Sequence, residues 1–87
     1  MVVLGIAWYV KDQWEVLRRV SADKVEDTWE EWVGNAERRV AELKKEGVSV
    51  QKIVVDVSEL QLWCRMKGRP CDSSARAEYV TFKLHSP

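Results

Sequence analysis

Eighty-seven residues carry fourteen basic and fourteen acidic side chains, so the formal net charge is zero. A neutral chain has no long-range field to gather polyanions, which argues against nonspecific binding to nucleic acid or anionic membrane. The composition, 46% apolar and 32% charged, is that of a folded globule rather than a disordered segment. At this length one domain is expected, burying only about 60–65% of the surface its unfolded chain exposes.

The opening stretch MVVLGIAWYVKD contains an apolar run over 2–10 with no basic region before it, ending at Lys11 and Asp12. A signal peptide needs cationic flanks and a small-residue cleavage site, and a membrane span needs about twenty apolar residues. Neither pattern fits, so the expectation is a cytoplasmic protein with no membrane association and both cysteines reduced. The run is rich in β-branched and aromatic types and barely alternates, which predicts a strand over 2–10 covered on both faces. Asp12 followed by Glu15 forms an aspartate version of the capping box for a short helix over 13–20, with Trp14, Leu17 and Val20 on its buried side.

Asp23 with Glu26 repeats that signal, and a long amphipathic helix over about 24–46 is expected to follow. Val25, Trp29, Trp32, Val33, Ala36, Val40 and Leu43 fall in one apolar stripe. Acids lie early and Lys44 and Lys45 late, as the helix dipole prefers, and Gly47 stands where a left-handed cap is wanted. Gly34, opposite the stripe, is a flaw worth about 1 kcal/mol relative to alanine; it marks a bend, a close contact or a tolerated defect.

VSVQKIVVDV (48–57) reads as a second strand. Ser58 with Gln61, or Asp56 with Glu59, then starts a helix over 58–67 that Gly68 and Pro70 stop. The tail, 72–85, suits a helix capped by Asp72 or Ser73, although EYVTFKL also alternates like a strand; the helix is the preferred reading.

The fold class is therefore α/β (α+β): a small β-α-α-β-α-α domain with a short parallel sheet and a right-handed crossover. Two parallel strands make a thin platform with open edges. The helix over 58–67 has Leu60, Trp63 and Cys64 on one side and Leu62 and Met66 on the other, so it needs two things to touch. A second copy of the chain is the expected partner, with Leu62, Trp63 and Met66 as the interface; the alternative is that the C-terminal segment folds back over this helix.

LWCRMKGRPC (62–71) is the most chemically loaded segment. Cys64, Cys71 and the lone His85 are too few and wrongly spaced for a structural zinc site, so no metal or cofactor is expected. A disulfide between Cys64 and Cys71 lacks a secretory context, and the plainer reading is Cys64 as a small buried apolar residue with Cys71 in a loop. Arg65, Lys67, Arg69 and Arg76 surround a helix-turn-helix-like stretch, 58–84, which gives nucleic-acid binding as the alternative function. That geometry would present Asp72, Ser73, Ser74 and Arg76 to the groove, where Asp72 has the wrong sign, and cations at a helix end already suit the dipole.

The acids of 23–31 lack the turned ligand loop of a calcium site and suit a helix start. Five tryptophans against one phenylalanine invite an aromatic-box reading, but their helical and strand spacing favours core packing. Beyond the strand ends lie Tyr9, Lys11, Asp12, Asp56, Ser58 and Glu59, where acid–base work would sit in a parallel sheet. No nucleophile–base pair is visible among them, so no catalytic residue is assigned. A non-enzymatic protein acting through self-association or protein–protein contact is the expectation.

Overall fold

In the computed structural model, which describes residues 3–86, β1 (Val3–Trp8) and β2 (Ser49–Val54) pair in parallel, Val3 opposite Ser49 and Trp8 opposite Val54. Val2, the first residue of the expected strand, lies outside the described residues. A 3-10 turn at Lys11–Gln13 leads into α1 (Trp14–Val20). The chain then runs through α2 (Trp29–Lys45), β2, α3 (Val57–Met66) and α4 (Ser73–Leu84). This is the expected mixed α/β order, with the tail helical.

Each face of β1 meets a helix. Trp8 packs edge-on against Trp32 of α2, ring centroids 5.1 Å apart, and Gly5 on the opposite face lies under Val80 and Leu84 of α4. The core gathers at the carboxyl ends of the strands, where Tyr9 and Val55 leave the sheet and meet α1, α3 and α4. Leu17, Val57, Leu60 and Val80 are among its fully buried side chains, each worth about 1.5–3 kcal/mol of burial. Trp32 joins this aromatic cluster, 5.3 Å from both Tyr9 and Trp14. Core packing thus accounts for most of the tryptophans, and the indoles of Trp14 and Trp29 donate to the carbonyls of Glu26 and Tyr9 at 3.1 and 2.8 Å.

Several boundaries differ from the sequence reading. The long helix begins at Trp29, not at 24, with the Thr28 hydroxyl accepting the Glu31 N–H at 3.1 Å. Asp23 cannot cap it because both carboxylate oxygens accept from Arg76, each at 2.8 Å. The Glu26 carbonyl is taken by Trp14, and the Ala22 N–H by the Cys71 carbonyl at 2.8 Å. Val25 is therefore in the connection, leaving Trp29 to Leu43 as the helical stripe.

Asp12 caps nothing either: the 3-10 turn intervenes, and no side chain caps α1. Gln13 instead accepts the Val57 N–H at 2.7 Å, serving the start of α3. The strands are shorter than expected, and α3 starts at Val57, with Asp56 accepting from Ser58 and Glu59 at 2.9 and 3.2 Å. Asp72 caps α4 by accepting from Ala75 at 2.9 Å. Gly34 has open space around it and is a tolerated defect.

The segment 62–71 is a helix ending. Gly68 takes φ +64°, its N–H donates to the Arg65 carbonyl, and the Arg69 N–H reaches back to the Cys64 carbonyl. Those two bonds are the paired terminators of a left-handed helix cap. Gly47, at φ +83°, ends α2 in the same way.

Candidate functional site

Helices α3 and α4 lie side by side and leave an apolar face outward. On α3, Leu62 is 55% and Met66 78% exposed; on α4, Phe82 is 54% exposed. Trp63 is half-buried beside a groove of about 680 Å³ between the two helices, its ring edge-on to Tyr79 with centroids 5.5 Å apart. The inward side of α3 carries Val57, Leu60 and Cys64, all buried, so this helix is apolar on two sides as its sequence requires.

The surroundings of this face carry both signs. Lys67 stands 5.9 Å from the Trp63 ring, Arg69 pairs with Glu78, and Lys83 lies 3.8 Å from Glu59. An apolar centre with a charged rim is the usual anatomy of a protein-binding surface. The sequence already pointed to Leu62, Trp63 and Met66. It did not yield Phe82, whose signal is its i+3 spacing from Tyr79, enough to set it beside the same groove once the tail is helical.

The four cations of the nucleic-acid reading do not form one patch of free charge. Arg76 is turned into the molecule, donating to Asp23 as above and to the Cys71 carbonyl at 3.3 Å, with its side chain only 14% exposed. Its guanidinium, by hydrogen bond and then by charge, holds the Asp23 carboxyl below the usual carboxylate range. Arg69 is engaged by Glu78, Asp72 and Ser74. Arg65 and Lys67 remain exposed on and after α3.

The groups beyond the strand ends are also dispersed. Tyr9 is buried, which raises its hydroxyl pKa despite the opposing charge of Arg76. Lys11 is bonded to Glu30 at 2.7 Å, and Asp56 is committed as a cap with Ser58 and Glu59 as its backbone donors. The Glu59 carboxylate accepts from the Tyr79 hydroxyl at 3.4 Å. Asp12 is exposed in the 3-10 turn, apart from these pairs.

Cys64 and Cys71 are free thiols, both buried. Burial first, then the adjacent Cys64, pushes the Cys71 thiol up to about 11, so it is protonated at neutral pH. Among the described residues no group of three or more His, Cys, Asp or Glu side chains is placed to hold a metal, and no helix is long and apolar enough to cross a membrane. Comparison with protein-family models, with curated proteins and with solved structures finds no match to this chain.

Proposed function

We propose that the protein acts by association, with a second copy of itself as the partner and the α3–α4 face as the interface, without chemistry of its own and in the cytoplasm. The observation that carries this is the groove that Trp63 of α3 and Phe82 of α4 line together, with Leu62 and Met66 exposed farther round α3. Large apolar side chains gathered on one face, rather than scattered singly, mark an interaction surface. A copy suits this face because its surroundings hold Lys67 and Lys83 as well as Glu59 and Glu78, and the whole chain is neutral, so a twofold rotation can set opposite charges together without net repulsion. The nucleic-acid alternative has less support, since Arg69 and Arg76 are neutralised by carboxylates of the same chain.

Light scattering tests this directly. The protein is expected to travel at twice the 10.1 kDa of one chain. The double variant Met66→Glu, Phe82→Glu should fall to the single-chain mass with unchanged circular dichroism. A wild-type protein that stays at the single-chain mass at about 1 mM, where even a 4 kcal/mol association would be well populated, contradicts the proposal.

A further inference from the structure

A second groove, of about 540 Å³, runs along the free edge of β1. The four consecutive residues Leu4 to Ala7 line it, which only an open strand edge can do, since successive side chains point to opposite faces. Its walls are α2, through Trp32, Arg39 and Leu43, and α4, through Ser73, Arg76 and Val80.

The hydrogen-bond phase of β1 can be read from its end. The Trp8 carbonyl accepts the Val55 N–H at 2.9 Å, so the backbone groups of Trp8 face β2. By alternation those of Ile6 and Leu4 do too, and those of Gly5 and Ala7 face the groove. The next outward carbonyl, Tyr9, is already closed by the Trp29 indole at 2.8 Å. Within the walled part of the strand, the open donors and acceptors are thus those of Gly5 and Ala7, with Val3 beyond the walls. On the α4 side the wall is close: a Cβ on Gly5 would lie 3.0 Å from Val80 and 3.4 Å from Leu84.

The geometry points to a strand-accepting slot: an extended acidic segment of another polypeptide lies along β1, its backbone bonding Gly5 and Ala7, its carboxylate meeting Arg39. Charge decides the occupant. Among the described residues, Arg39 and Arg76 are the charged side chains lining the groove, and no carboxylate lines it. Arg76 is already held by Asp23, whereas Arg39 is 66% exposed with only a 3.9 Å contact to Glu42. A second copy would bring arginine against arginine and its own two helices against these walls; an unstructured acidic segment brings neither. Main-chain bonds to a sheet edge supply affinity and the side-chain contacts supply choice. This groove shares only Ala77 of α4 with the groove on the α3–α4 face, and it goes beyond the association proposed there.

The test is a titration of isotope-labelled protein with capped peptides of about six residues, the length that spans such an edge. A peptide alternating valine with glutamate should shift the Gly5 and Ala7 amide signals and leave those of Ile6 and Trp8 nearly still. Its valine–lysine twin should bind about tenfold more weakly or worse, and Arg39→Glu should reverse that order. Backbone N-methylation of the peptide should abolish binding. So should Ala7→Pro, which removes an outward N–H while keeping the ladder to β2. The α3–α4 double variant should bind the peptide as wild type does. No amide shift at millimolar peptide, equal binding of the two twins, or Gly5 and Ala7 shifts that follow protein concentration alone, which would put a second copy in the slot, each overturn the inference.

Discussion

The two ends of β1 are built on opposite terms. At the carboxyl end Tyr9 is 3% exposed and its carbonyl is closed by an indole; at the amino end Val3 and Leu4 are 45% and 41% exposed beside open backbone groups. Several long-range polar bonds share this bias. Arg76 to Asp23, Val57 to Gln13 and Trp14 to Glu26 all converge around the carboxyl end, where α1, α3 and α4 meet. A small chain with too little surface to finish everything has completed one end from within. What it leaves unfinished, the rest of the β1 edge and the outer face of α3 and α4, is where a partner can add burial.

That contrast can be broken most severely from the completed end. Leu60→Ala, at a side chain with 0% exposure, should cost about 3–4 kcal/mol in urea unfolding, a large part of the stability of so small a domain. Leu62→Ala, two residues along the same helix but 55% exposed, should stay within about 0.5 kcal/mol at concentrations where the chain is single. Equal costs would mean that α3 does not have one finished and one unfinished side.

The next effect is electrostatic. Asp23→Asn should destabilise by about 2–3 kcal/mol by leaving the mostly buried Arg76 without its charge partner. Because Arg76 depresses the Asp23 carboxyl, its stabilisation is complete above the ordinary value of 3.8 and is lost as pH falls through the lower folded value. Wild type should therefore lose more stability than the variant when urea midpoints are compared at neutral and strongly acidic pH. Parallel pH profiles would count against this pair as the clamp on the 21–28 connection.

Smaller effects separate the glycines. Gly34→Ala meets no atom within 4 Å and should stabilise α2 by about 0.5–1 kcal/mol. Gly5→Ala presses on Val80 at 3.0 Å and should destabilise or displace α4. Thermal unfolding of the two variants should move in opposite directions.

Much of this was legible in the sequence because it is local. Element order, the caps at Asp56 and Asp72, and the glycine endings at 47 and 68 all depend on residues a few positions apart. The misread helix start at 24 failed for a non-local reason: Asp23 is claimed by an arginine 53 positions away, and a spacing rule cannot see it. Gln13 is the same case, capping a helix 44 positions on, while the nearer Asp12 had the right type and no task. The two-sided α3 was visible because helical periodicity alone places Leu62 and Met66 opposite Leu60 and Cys64. The slot on β1 was not, since it depends on which edge β2 leaves free and on where α2 and α4 come to rest.

The central claim is that the outer face of α3 and α4 meets a second chain. A mixed sample of isotope-labelled and unlabelled protein tests it most directly, through magnetisation transfer between chains. The account predicts intermolecular signals from the Met66 methyl group to the Phe82 and Trp63 rings of the other copy. Their absence at about 1 mM protein, or intermolecular signals confined to a different face, would contradict it.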